Sequence, residues 1–386
     1  MYDFDTPARR RGTDCFKWDG MERPFGRADL VPLWVADSDF LPLPEIAAAI
    51  RERAGEGQAF GYTAPGEGYL ESILRWNEAR NGLALKKDDL LPVPGVVTGL
   101  VTALLALTKE GDGVLINPPV YTPFYGVVRG LGRTLVESPL VCGGVGDWQL
   151  DFADLEEKMR GGTVTAYLLC SPHNPVGRVW TPDELSRLAA LCRQYGVQLI
   201  SDEIHGDILL GGAKFTPILA VEPQAVAVAA PSKTFNIAGL KCSHFMIPDE
   251  GLRKKVAEQL HVLHLECDLL AYRAAEAAYT HGARYTDECN AYMTENARFA
   301  VSFFRERLPK VKAFVPEGTY LLWLDFSAYG LSAGELRRRL VEEAGVALNA
   351  GTDYGAAYGA YSRLNAATPR AILAEGLEKI AKAFGD

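Results

Sequence analysis

The sequence predicts an α/β protein: a large domain with a mainly parallel, doubly wound sheet, and a smaller α/β domain beside it. Strand and helix signals alternate from about Pro44 to about Gly282, which is the pattern of repeated strand-helix units in a parallel sheet. After Tyr285 the order changes to a long helix reaching Leu308, a strand over Tyr320 to Phe326, a helix over Ser332 to Ala344, a strand near Tyr361 to Leu364 and a last helix from Pro369. At 386 residues the chain exceeds one usual core. These features divide it into residues 45–282 as the large domain and residues 1–44 with 283–386 as the small one.

Three apolar runs justify the parallel strands. Val164 to Cys170 breaks into Ser171-Pro172-His173-Asn174-Pro175-Val176-Gly177, Val197 to Ser201 runs into Asp202-Glu203-Ile204-His205, and Ala225 to Pro231 runs into Ser232-Lys233-Thr234-Phe235-Asn236. Each short buried-type strand ends at a polar residue able to do chemistry. Ligands of open parallel sheets bind beyond the carboxyl ends of the strands, so Asn174, Asp202 and Lys233 converge although far apart in sequence. An amide, a carboxylate and an amine meeting there point to a carbonyl-bearing cofactor. Among the helices, Thr181 to Tyr195 opens with a Thr-Pro-Asp-Glu cap signature, and Pro248 to His281 reads as helical throughout.

Composition excludes several classes of function. With 48% apolar and 23% charged residues, the chain reads as an ordinary soluble globular protein. A net charge of -9 and the lack of a basic run interleaved with aromatics argue against a nucleic-acid partner. The cluster Arg9-Arg10-Arg11 leads into Gly12-Thr13-Asp14 rather than an apolar segment, so it does not read as a secretion signal. The longest apolar stretch, Val96 to Leu107, is too short to cross a bilayer. Seven cysteines, an odd number without a CxxC pair, fit reduced thiols and a cytoplasmic location. His261, His264 and Cys267 are the one metal-like grouping, but a residue six positions along a helix has turned away from the first, so no metal is expected.

The motifs together resemble the aspartate aminotransferase fold, fold-type I, of enzymes that use pyridoxal 5'-phosphate. Within it the chain is most similar to the MalY/PatB group of cystathionine beta-lyases and related C-S lyases. The resemblance is carried by Trp34-Val35-Ala36-Asp37-Ser38-Asp39-Phe40, Phe60-Gly61-Tyr62, Pro94-Gly95-Val96-Val97, His173-Asn174-Pro175-Val176-Gly177, Ser201-Asp202-Glu203-Ile204-His205, Ser232-Lys233-Thr234-Phe235-Asn236 and Arg363-Leu364-Asn365, which span nearly the whole chain.

The resemblance implies roles for these positions. Lys233 is the amine that binds the cofactor aldehyde and later takes the substrate Cα proton. Asp202 pairs with the pyridine nitrogen, Asn174 donates to the ring oxygen, and Tyr121 stacks on the ring. His205 falls where aminotransferase relatives commonly carry a tyrosine. The amides of Val96 and Val97, opened by Gly95, and the Ser232 hydroxyl receive the phosphate. Two departures mark this cup: Ala230 replaces a frequent phosphate-binding serine, and Lys241 replaces the usual arginine, keeping charge without the guanidinium fork. Tyr62 matches a residue that reaches across from the other subunit, which implies a homodimer with shared sites. Arg363 is the clamp for the substrate carboxylate, and Ala36 also lies on the substrate side. The implied reaction is β-elimination from L-cystathionine or a related cysteine S-conjugate, with amino transfer on the same scaffold as the alternative.

Overall fold

The computed structural model describes residues 1–385. Its main sheet contains β1 (Leu90–Val93), β2 (Gly113–Ile116), β3 (Thr134–Glu137), β4 (Val164–Cys170), β5 (Gln198–Asp202), β6 (Val226–Ala229) and β7 (Ser243–Met246), in the spatial order β1-β7-β6-β5-β4-β2-β3. Only β7 runs against its neighbours β6 and β1; the remaining pairs are parallel. A mainly parallel sheet is stable when both faces are covered, and side chains alternate between faces along each strand. Val114, Ile116, Ala166 and Leu168 accordingly enter one core with Leu100 and Leu104 of the helix Val96–Leu107. Leu115, Tyr167 and Leu169 point the other way, into a core shared with Leu185 and Leu188 of the helix Pro182–Tyr195.

Local sequence fixes the ends of these elements. Thr181 and Glu184 form a reciprocal capping box at the start of Pro182–Tyr195, and Gly196 closes it in a left-handed conformation. One expected element differs. Pro248 to His281 is two helices, Glu250–Val262 and Leu269–His281. His264 adopts a positive φ of 50°, and the Asp268 side chain accepts from the amides of Leu270 and Ala271, so a new helix starts there. The same break sends Cys267 into the core while His261 and His264 stay exposed. Among the described residues, no group of metal-binding side chains is assembled.

Beyond the main sheet, β8 (Leu321–Asp325), β9 (Asn349–Ala350) and β10 (Tyr361–Asn365) form an antiparallel sheet in the order β8-β10-β9. The helices Ala283–Arg307 and Arg370–Phe384 pack on one another nearby. The amino-terminal chain joins this part: Val31–Pro32 pairs in parallel with Val346–Ala347, and Asn365 donates to the carbonyls of Val35 and Asp37. Residues 34–40 thus pass from the small sheet toward the carboxyl ends of β4, β5 and β6.

This passage is fastened by charges. Lys17 is fully buried and its Nζ lies 2.7 Å from Asp39 Oδ2, while Trp18 Nε1 donates to Asp39 Oδ1. Arg10 Nη2 lies 2.5 Å from Asp37 Oδ2 and its Nη1 donates to the Ser38 carbonyl. Removing one member of a buried pair strands the other charge, which costs about 3–5 kcal/mol. Lys17→Met is therefore expected to lower the melting temperature markedly, and Lys17→Met with Asp39→Asn to recover part of the loss in the same thermal melts.

Glu203, just past β5, shows the cost of burying a lone carboxyl. Burial pushes it up to about 8 although Ile218 N and Ser201 Oγ donate to Oε1. A carboxyl raised in the folded state stabilises the fold below its unfolded value and loses that contribution as pH rises toward 8. Glu203→Gln should flatten the fall in stability between pH 5 and 8, with a relative gain of more than about 1 kcal/mol at pH 8 by denaturant titration.

Candidate active site

The adjacent strands β4, β5 and β6 end at one edge, in register through the pairs Cys170↔Asp202 and Asp202↔Val228. Asn174 follows β4 by four residues, Asp202 closes β5, and Lys233 follows β6 by four residues. A cavity of about 300 Å³ lies over this edge, lined by Ala36, Gly95, Val96, Val97, Tyr121, Asn174, Asp202, His205, Ser232, Lys233 and Lys241 among others. That size suits a small ligand.

Lys233 Nζ donates to the Ala36 carbonyl at 2.7 Å. Burial pulls its amine down to about 8, and Arg363 acts in the same direction against the attraction of Asp37 and Asp202. Asp202 moves the opposite way. Burial raises its carboxyl to about 7, opposed by a hydrogen bond from Ile204 N to Oδ1 and by Lys233. Its second oxygen, Oδ2, is buried without a partner. A buried carboxylate oxygen left unpaired is costly, and a protonated ring nitrogen placed there would satisfy it. His205 is held well below its ordinary value, first by burial and then by Lys233 and Arg363, so it is neutral at neutral pH. Its Nδ1 also lacks a partner, and its ring meets the edge of Tyr320 at 5.9 Å.

Arg363, on β10, reaches the same place from the small sheet. Its guanidinium donates to Asn174 Oδ1 at 3.2 Å, to the Trp34 carbonyl at 2.7 Å and to Asn349 Oδ1 at 2.7 Å, and it lies over the Tyr354 ring. Its Nε is buried without an acceptor. Because Asn174 spends its carbonyl oxygen on Arg363, its Nδ2 remains as a donor with no acceptor among the described residues. Tyr121 lies on the cavity wall, with its hydroxyl pushed up to about 12 by burial and then by Asp202.

The end of the cavity at Gly95 to Val97 is built mainly of backbone. Gly95 takes φ 102°, a conformation strained for any L side chain, and N-caps the helix Val96–Leu107. The unpaired amides of that helix end and its dipole face the cavity. Ser232 and Lys241 border it, with Lys241 exposed and at φ 49°. Tyr62 is not brought to this cavity within its own chain; it is fully exposed, and Phe60 is 64% exposed. The fit to a phosphorylated aldehyde cofactor is therefore good at the ring and amine end, and at the phosphate end it depends on amides and hydroxyls.

Sequence reasoning missed several residues. Cys170, Ile204, Cys242 and Ser243 also line the cavity, and Tyr320 shares the Ala36 carbonyl with Lys233. Ser243 opens the antiparallel strand β7 and Cys242 directly precedes it, where no polar motif marks them. Tyr320 lay inside a run read only as a strand.

Comparison with known proteins agrees with this geometry. Residues 28–380 match the family model described as aminotransferase class I and II. Cystathionine beta-lyase PatB of Bacillus subtilis is 42% identical, covering 99% of this chain and 100% of PatB. The crystal structure of a pyridoxal phosphate-bound putative aminotransferase from Clostridium difficile 630 superposes with a TM-score of 0.97 at 39% identity, covering all of both chains. That of cystalysin from Treponema denticola, which contains pyridoxal 5'-phosphate, superposes at 0.95 with 32% identity, covering 99% of this chain and 98% of cystalysin. The chain belongs to the aminotransferase class I and II family of fold-type I enzymes, in the group of the PatB and MalY cystathionine beta-lyases.

Proposed function

We propose that the chain is a pyridoxal 5'-phosphate-dependent C-S lyase that converts L-cystathionine, or a related cysteine S-conjugate, and water into a thiol, pyruvate and ammonia. The observation that carries this reading is the meeting of Lys233 and Asp202 in one cavity, with Arg363 hydrogen-bonded to Asn174 on its wall, in a chain similar over its full length to PatB. When bound, pyridoxal 5'-phosphate supplies an aldehyde for the substrate amino group and a protonated ring that draws electrons from Cα. Asp202 would keep that ring cationic through Oδ2. Asn174 Nδ2 would donate to the ring oxygen, and Tyr121 and His205 would hold the ring from the cavity wall. The amides of Val96 and Val97, Ser232 and Lys241 would hold the phosphate.

Arg363 receives the substrate α-carboxylate with its planar fork, beside the backbone at Ala36. Lys233 takes the Cα proton as a neutral amine, and the bond from Cβ to sulfur breaks with its electron pair leaving on the thiolate. Since Lys233 belongs to the unit formed by residues 45–282, and Arg363 to residues 1–44 with 283–386, substrate bridges the two and favours closure. Phe60 and Tyr62 stand exposed, which supports a homodimer in which Tyr62 completes the partner's phosphate site. The seven cysteines carry free thiols, which supports a cytoplasmic setting.

The resemblance to a structure described as a putative aminotransferase supports a second reading, amino transfer to a keto acid. The two divide in one assay. Purified enzyme given L-cystathionine should release pyruvate and thiol without any keto acid; strict dependence on a keto acid establishes amino transfer instead. Turnover should rise through pH 8 as Lys233 loses its proton, because only the amine accepts one. Arg363→Lys should lower kcat/KM about 100-fold, mainly through KM, in steady-state kinetics, since a point charge replaces a bidentate clamp.

A further inference from the structure

The Ala36 carbonyl accepts two hydrogen bonds, from Lys233 Nζ at 2.7 Å and from the Tyr320 hydroxyl at 2.9 Å. A carbonyl oxygen has two lone pairs, so both are used and its direction is set by both donors. Tyr320 is 1% exposed, and its hydroxyl meets a backbone group that the proposed base also needs.

The chain goes to some cost to put it there. Thr319, the residue before, is fully buried and has φ 66°, in the left-handed region that β-branched residues avoid. Such strain persists only where the surroundings impose it. Thr319 N donates to the Ile208 carbonyl at 2.9 Å, and Thr319 Oγ1 accepts from Leu321 N. Gly318 is pressed against Pro172 and Val179, where a Cβ would stand 2.8 Å from each, and its amide donates to Gly177. The turn is thus clamped on the β4 side of the main sheet before β8 begins.

We propose that Tyr320 is a positioning residue for the Lys233 amine, acting through the Ala36 carbonyl, and that the constrained backbone at Thr319 aims it. The proposal rests on Lys233 being the base assigned above. Lys233 takes a proton only as a free amine, and one N–H held by Ala36 orients the nitrogen lone pair. Tyr320 holds that carbonyl still. Its donated hydrogen bond also weakens the carbonyl as an acceptor, which disfavours the ammonium form of Lys233. The other groups facing the amine are Asp37 on the 34–40 loop, Asp202 and His205 at the end of β5, and Arg363 on β10; none hydrogen-bonds the Tyr320 hydroxyl, and Asp37 and Arg363 act on it through their charges in opposite directions.

The test uses the holoenzyme with L-alanine, which has no leaving group, and follows exchange of its Cα hydrogen with deuterium oxide by NMR. Exchange reports proton removal whether the enzyme eliminates or transfers amino groups. Tyr320→Phe should keep the cofactor absorbance and melting temperature of the wild type. Its exchange rate at saturating alanine should fall tenfold or more, the half-saturating alanine concentration should move less than twofold, and the acid limb of the rate profile should shift to higher pH. Thr319→Gly, which frees the backbone while leaving Tyr320 in place, should lose part of the saturated rate in the same way. Unchanged exchange in Tyr320→Phe overturns the proposal, as does a loss confined to alanine binding with an unmoved acid limb. Failure of the wild type to release pyruvate from cystathionine would remove the lyase reading and leave this comparison intact.

Discussion

The burial of one amine governs the design of this molecule. Lys233 is half-buried on the cavity wall, and drawing its charged ammonium out of bulk water costs more than the nearby carboxylates return. Asp37 and Asp202 both favour the charged form, and Arg363 opposes it; desolvation outweighs them all and leaves an amine poised near 8. The same dry cavity raises the Asp202 carboxyl to about 7, so two groups of opposite type are brought toward each other's range. Neither could be so displaced on an exposed surface, where solvent would screen the difference.

Such a cavity needs walls that do not slide, and the loop at 34–40 supplies the brace. Its carbonyls face in two directions at once. Trp34 O accepts from Arg363 and Ala36 O from Lys233, while Val35 O and Asp37 O accept from Asn365 Nδ2. Asn236, three residues past the lysine, donates to Ser38 O and accepts from Ser38 N. The Arg363 guanidinium and the Lys233 amine are thereby referenced to one stretch of backbone, although 129 residues of sequence intervene between positions 233 and 363. The ion pairs Arg10–Asp37 and Lys17–Asp39 hold the outer side of that loop. Buried pairs of this kind add little net stability over apolar packing, so geometry is the better reason for them.

What the sequence made legible follows from the same physics. Parallel strands buried on both faces read as apolar runs, and a polar residue at their end stands out, which is why Asn174, Asp202 and Lys233 could be read as neighbours. Helix Pro182–Tyr195 was legible because its capping box is local. The break at His264 was not, since neither its left-handed backbone nor the side-chain cap at Asp268 interrupts the run with a glycine or proline. Tyr320 was invisible for a different reason. In a strand its alternation with Leu321 and Leu322 reads as packing, and nothing short of three-dimensional contact links it to a carbonyl 284 positions earlier. Tyr62 is fully exposed and stays away from the cavity within its own chain.

The end of the cavity at Gly95 shows how backbone can stand in for side chains. The chain has Ala230 and Lys241 where relatives of this fold commonly carry a hydroxyl and a guanidinium, and Lys241 is exposed, so its charge is shared with solvent. Ammonium screened in this way adds modestly to anion affinity. The helix Val96–Leu107 compensates from below, with its first amides unpaired and its dipole aimed at the same point, and Gly95 at φ 102° removes the side chain that would block approach. Thr98, Ser232 and Ser243 add hydroxyls around the rim. Amides cannot be altered by a side-chain substitution, so a cavity end built on them depends on the backbone conformation at Gly95 more than on the side chains at positions 230 and 241.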